Sequence, residues 1–317
     1  MAKKIFIGFV ALVLVAFVLL FQFGGRAAEE LTKKLLAEQT ALHGTLKAEE
    51  IQANWSGDVI FKNVVWVGPD GKTIAEIPLA TVSVNLFDAL LKGGTGASVG
   101  DVVIDKPSFF VSYNKKEGLN IVNYINFQVE EEQKNNELLT VKKAAAATQF
   151  RGLMEIKDAK VNLLLENKPL DFDKVQFQGN FKQYPKIKYG LRVKDGKSDI
   201  IADIQNDSGT TAVVAEVKKM PLQNILNVLP QAADVVITEG NLPDVKIRAD
   251  KADDKWTLNI DGTIDGLKGS LINYPVTKGS GKFSADTEAL KFAGLNLEVA
   301  GQTVVIDLSL IHISEPT

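Results

Sequence analysis

The sequence predicts a mainly β protein: an N-terminal transmembrane helix, then an antiparallel sheet with a few short helices. Three observations predict it. One apolar run of membrane length lies at the N-terminus. From Gly44 onward, apolar residues recur at every second position. Clusters of Gly, Pro, Asn and Asp cut that pattern into strand-length pieces. The 317 residues suffice for two domains of ordinary size, and 45% apolar with 24% charged residues is a globular composition. A net charge of −3 marks no nucleic-acid partner, which would call for a basic stripe. The chain has no cysteine, which excludes disulfides, thiolate chemistry and thiolate zinc sites.

After Lys3 and Lys4, IFIGFVALVLVAFVLLFQFGG runs for 21 residues before the next charge, Arg26. As a helix it is ~31 Å long, about the thickness of bilayer hydrocarbon. A cleaved signal peptide has a shorter apolar core, ~7–15 residues, ending in a small-x-small site. Here Ile5 to Phe21 exceeds that length, and the one weak site, Gly25-Arg26-Ala27, carries an arginine. Residues 1–26 are therefore expected to be an uncleaved anchor, with the short N-terminal tail inside and the remainder exported. Residues 27–43 are expected to continue as a juxtamembrane helix, with Leu31, Leu35 and Leu42 along one side.

At Gly44 the period changes to two. Val59, Phe61, Val64, Val65 and Val67 predict a strand, GPDG at 68–71 a turn, and TIAEIPLATVSVNL a second strand. FDALLKG gives one or two helical turns ended by Gly93. Two more strands and a short helix then complete a first β region over 44–129. Residues 130–150, charged and then alanine-rich, predict a helical linker.

Beyond it, 151–307 is nearly all strand. Val175, Phe177, Gly179 and Phe181 alternate with polar residues, as do Ile187, Tyr189, Leu191 and Val193, then Ile200, Ala202 and Ile204. The pattern returns at Val245, Ile247 and Ala249, and at Trp256, Leu258 and Ile260. One apolar and one polar face, strand after strand, predicts an antiparallel meander wetted on one side. MPLQNILNVLP, 220–230, predicts the one helical interruption.

Candidate chemistry is sparse. GGTGASVG at 93–100 follows a helix and opens a strand, the reverse of a phosphate-binding glycine loop, and reads as a turn. Asp250, Asp253 and Asp254 lack the alternate spacing and closing glutamate of a calcium loop and read as a solvated hairpin. Asn54-Trp55-Ser56 is a formal glycosylation sequon. His43 has no companion for a triad or a metal site. No nucleophile–base pair emerges, so neither an enzyme nor a cofactor or metal is expected.

The stretch IFKNVVWVGPDGKTIAEIPLATVSV, the short helix after it, and VGDVVIDKPSFFVSYNKKEGLNI ending at Asn120 together resemble the N-terminal region of AsmA-like, TamB-type envelope proteins. The resemblance is strongest over 57–125 and looser to 307. It implies a bacterial inner-membrane protein with most of its chain in the periplasm. It also implies a long curved sheet, an apolar groove, that moves phospholipid between inner and outer membranes. A second function found among these families, assembly of outer-membrane β-barrel proteins, is the alternative. The apolar faces would then supply a lipid-facing floor of Val175, Phe177, Phe181, Tyr189, Leu191, Val193, Val245, Ile247, Trp256, Leu258 and Ile260. Alternation alone fits a sandwich core equally well.

The last ten residues, LSLIHISEPT at 308–317, resemble the translated read-through of a sequencing adapter. The expectation is a native chain that departs from this one after about Asp307. It would continue into further strands and a C-terminal region that meets an outer-membrane partner.

Overall fold

The computed structural model describes residues 42–54, 57–84, 99–114, 116, 118–124, 151–165, 168–183, 185–194, 196, 198–207, 210–226, 235–252, 255–271 and 273–311. The expected anchor, most of the juxtamembrane segment, the helix at 87–93, the linker at 130–150 and residues 312–317 lie outside them. Among the described residues no helix is long and apolar enough to cross a membrane.

The described chain is one mixed sheet of sixteen strands with almost no helix. Two compact units divide the chain at Ile187/Lys188. The first holds β1 (Thr45–Ala53), β2 (Asp58–Val67), β3 (Thr73–Val84), β4 (Val99–Asp105), β5 (Ser108–Asn114), β6 (Gly118–Leu119), α1 (Asn120–Asn123), β7 (Leu153–Leu165) and β8 (Lys168–Asn180). The second holds all but the first residue of β9 (Ile187–Lys194), then β10 (Asp199–Asp207), β11 (Thr210–Pro221) and α2 (Gln223–Leu226). It continues with β12 (Val235–Ala252), β13 (Lys255–Leu271), β14 (Tyr274–Asp286), β15 (Ala289–Val299) and β16 (Gln302–Ile311). The order is β1-β2-β3-β4-β7-β8 and then sequential to β16, with β5 against β3, β6 and β7.

The wholly antiparallel sheet expected from the alternation is corrected at one place. β4 and β5 both run parallel to β7, with Val102 opposite Met154 and Ser108 opposite Lys160. The constant offset makes β4 and β5 one bent strand alongside β7. A period of two assigns faces and carries no strand direction. Direction is set by the connection, and a parallel pair needs a crossover of a dozen residues or more, which residues 115–152 supply. The strands on either side of 130–150 therefore belong to one compact unit.

Within that unit the apolar face is closed from β1 to Val102 of β4. Val59, Val82, Ile74, Val102, Ile51 and Phe61 are all at most 2% exposed. Leu42, Phe109, Ile121, Tyr124 and Phe181 pack against them. Asn120 is placed by its carboxamide: Oδ1 accepts the Ser112 and Ile121 amides at 2.9 and 2.8 Å, tying the start of α1 to β5. The GPDG turn closes with Gly71 N donating to Gly68 O at 3.0 Å and Lys72 N to Asp70 Oδ1 at 3.2 Å.

A line of phase changes crosses this unit. In β2 the buried positions are Val59 and Phe61, then Val64 and Trp66, and the phase changes at Asn63, φ 50°. Asn63 falls opposite Pro78, between the pairs Lys62–Leu79 and Val64–Ile77. A proline inside a sheet is tolerated where the ladder is already interrupted. The same change occurs at Lys106 (φ 49°) between β4 and β5, at Asp158 (φ 48°) in β7 and at Lys174 (φ 55°) in β8. Each left-handed residue re-phases its strand, and neighbouring strands change phase together, with Lys62–Leu79 and Val64–Ile77 still in one register, so apolar side chains stay on one face on both sides of the line.

The second unit has two turns with testable chemistry. Ala300 and Gly301 link β15 to β16 with φ 49° and 80°, the two left-handed central residues of a type I′ turn. Alanine is strained there and asparagine is not, so Ala300→Asn is expected to stabilise the hairpin by roughly 0.5–1 kcal/mol, read by chemical denaturation.

At the β14–β15 turn, Asp286 Oδ1 accepts the Glu288 and Ala289 amides, both at 2.8 Å. These donors, and then Lys291 at 3.5 Å, hold the carboxyl below its ordinary value. A folded value below the unfolded one means the contribution is fully present above the unfolded value and is lost as pH falls through the folded one. Protection of the Glu288 and Ala289 amides is therefore expected to decline below about pH 3.9, and Asp286→Ala to abolish that dependence.

Candidate functional site

Cross-strand register builds continuous apolar rows on one face of the second unit. Ile200, Val217, Val245, Gly262, Phe283 and Phe292 stand opposite one another in turn from β10 to β15. A second row runs Ala202, Ala215, Ile247, Ile260, Ala285 and Leu290. A third, shorter one is Ile204, Val213, Ala249 and Leu258. Directly opposed residues share a face, so three apolar ladders lie side by side across the strands. Gly262 leaves room in the first: a Cβ there would come within 2.6 Å of the Phe283 ring.

The opposite face is wet. Glu216, Lys246, Asp261, Ser284 and Lys291 form a polar row one residue out of phase. Ion pairs on it include Lys218 with Glu216 at 3.1 Å and Lys268 with Glu239 at 2.7 Å. The Glu216 carboxylate beside Lys218 raises its ammonium pKa.

The rows differ from the first unit's core in their openness. Val245 is buried, at 5% exposed, and belongs to a cluster with Met220, Leu222 and Leu242 next to α2. Ile247, Leu258 and Ile260 are only half-buried, and Trp256, opposite Lys251 at the end of the β12–β13 hairpin, is 50% exposed.

The expected floor residues fall into three groups. Val245, Ile247, Trp256, Leu258 and Ile260 come together on β12 and β13, as adjacent cross-strand neighbours or diagonals. Tyr189, Leu191 and Val193 lie on β9, where Arg192 reaches Asp203 of β10 at 3.5 Å on the polar face. By alternation Leu191 and Val193 then share the apolar face with Ala202 and Ile204. Val193 is buried and Tyr189 half-buried, and desolvation raises the Tyr189 phenol above its ordinary value.

Val175 and Phe177 lie on β8 in the first unit. There Ile51, Phe61, Ala80, Ile104, Ile156 and Phe177 make a row across six strands. Burial relaxes along it, from 2% exposed at Ile51 and Phe61 to half-buried at Ile104, Ile156 and Phe177. Phe181 packs against the closed core of that unit.

Sequence reading missed Phe283 and Phe292 as row members. Phe283 sits in KGSGKFSAD, where only glycine and alanine fill the alternate positions and no period of large apolar residues shows. Register with β13 and β15 is the signal that finds it.

Among the described residues no group of three or more His, Asp or Glu side chains is placed to hold a metal ion. The Asn54 carboxamide is engaged with Asp58, accepting its amide at 2.8 Å and donating to its carboxylate at 3.2 Å. The His43 backbone bonds Tyr124 O and the Trp66 indole. No protein-family model and no curated protein sequence matches the chain.

Proposed function

We propose that this chain is an inner-membrane-anchored, non-enzymatic protein of the bacterial periplasm, of AsmA-like or TamB type, whose apolar face carries phospholipid acyl chains towards the outer membrane. The observation that supports it is the set of half-open, in-register apolar rows on β10–β15. A phospholipid moving through water exposes some 30 methylenes, at ~0.8 kcal/mol each a cost of ~25 kcal/mol. What such a passage needs is an unbroken apolar floor rather than a catalytic group. Six strands at ~4.8 Å spacing give a row ~24 Å long, more than one leaflet's share of the ~30 Å hydrocarbon core.

The residues quoted for the resemblance fall in the first unit, over β2–β6 and α1. In this reading the first unit follows the anchor in sequence, and the apolar rows of the second unit supply the lipid path. The test is transfer of a labelled phospholipid between donor and acceptor vesicles with the full chain reconstituted in the donors. Accelerated transfer is the expected result. No acceleration, with unfolded outer-membrane β-barrel segments captured on the strand edges instead, would replace this reading by that of an assembly scaffold.

A further inference from the structure

The line of phase changes in the first unit carries a second feature, on the face opposite the apolar row. Lys106, Ser108, Asp158, Lys160 and Lys174 line one cavity of about 470 Å³. Three of the five, Lys106, Asp158 and Lys174, are the left-handed residues that re-phase β4/β5, β7 and β8. Left-handed backbone is unfavourable for lysine, and such strain gathers where a site over-determines the conformation. The backbone fixes the arrangement further: Lys106 N donates to Lys157 O and Lys160 N to Pro107 O, both at 2.8 Å, and Ser108 stands opposite Lys160.

The three ammonium groups are not spent on neighbours. Lysines around them are paired, Lys157 with Glu155 at 3.3 Å, Lys62 with Glu50 at 2.9 Å and Lys182 with Asp101 at 3.7 Å. Among the described residues Lys106, Lys160 and Lys174 enter no ion pair. Three ammonium charges less the Asp158 carboxylate leave +2 in the cavity, with the Ser108 hydroxyl as a further donor.

The geometry points to a phosphate-binding site: a phosphate dianion, free or as the terminal monoester of a lipid, held by Lys106, Lys160, Lys174 and Ser108. A monoester carries about −1.5 to −2 at neutral pH and offers three acceptor oxygens, matching both the charge and the number of lysines. Asp158 is the one acid of the lining and brings the three ammonium charges down to +2, the complement of a dianion. The site is on the polar face, so it stands whether or not the apolar rows carry lipid.

Calorimetric titration of the full chain in detergent with inorganic phosphate, and flotation with phosphatidylcholine vesicles carrying phosphatidic acid, test it. The variant Lys106→Gln/Lys160→Gln/Lys174→Gln is compared with Lys47→Gln/Lys116→Gln/Lys186→Gln, which removes the same charge elsewhere on the unit. The cavity variant is expected to weaken binding by about tenfold or more and the control by less than about twofold. Loss with the soluble anion identifies free phosphate as an occupant; loss only in flotation identifies the lipid. Equal losses in both variants, or no phosphate binding by the parent chain in either assay, would overturn the site. Should the triple variant melt early, Ser108→Ala and Lys160→Gln singly must each still weaken binding for the proposal to hold.

Discussion

Ile247→Asp is expected to leave the fold standing and to stop lipid transfer. Ile247 lies within the second apolar row, between Ala215 and Ile260, and is half-buried. A carboxylate there can turn to water at the open side, so thermal melting should fall by only a few degrees. An acyl chain crossing the row would instead meet a charge it cannot solvate. Transfer should drop by about tenfold or more, since ~1.4 kcal/mol of mismatch already gives that factor. Circular dichroism melts and vesicle transfer on the same preparation check both halves. An unfolded Ile247→Asp chain would mean that the face is covered by protein, and the lipid reading would fall with it.

The first unit should respond in the opposite way. Phe61 is 2% exposed within a cluster that includes Ile51, Val59 and Val82. Phe61→Ala leaves a cavity in a closed core and is expected to cost about 3–5 kcal/mol. Against a typical total of ~5–15 kcal/mol that is a large fraction, and the unit's melting point should fall by roughly 10 °C. Chemical denaturation measures it. A cost below about 1 kcal/mol would mean that this core repacks freely, contrary to the closed arrangement of β1–β4. The contrast between Phe61 and Ile247 is thus between burial against protein and burial left incomplete.

Much of this was legible in the sequence because alternation records faces directly. Val245, Ile247, Leu258 and Ile260 fall on one side of β12 and β13, as their period of two requires. The short helix within 220–230 is present as α2 at Gln223–Leu226. Other features have no local signal. The parallel pairing of β4 and β5 with β7 depends on contacts some fifty positions apart, which no window detects. The phase changes at Asn63 and Lys174 look like irregular spacing, Phe61 to Val64 and Phe172 to Val175, until both halves are placed on one surface. The lysine cavity is likewise assembled from three separate strands or their junctions, each lysine unremarkable beside its own neighbours. Phe283 shows the limit from the other side: a row member flanked by small and polar residues is visible only through its partners Gly262 and Phe292.

The central claim is that acyl chains lie against one face of β10–β15 and not the other. Ile260 and Asp261 are consecutive on β13 and point to opposite faces, in rows with Ile247 and Lys246 respectively. A photo-crosslinking amino acid placed at each position, irradiated in membranes and followed by mass spectrometry, reads the claim directly. Phospholipid adducts at position 260 and their absence at 261 are the predicted result. Equal labelling at both positions, or protein adducts in place of lipid at 260, would contradict it.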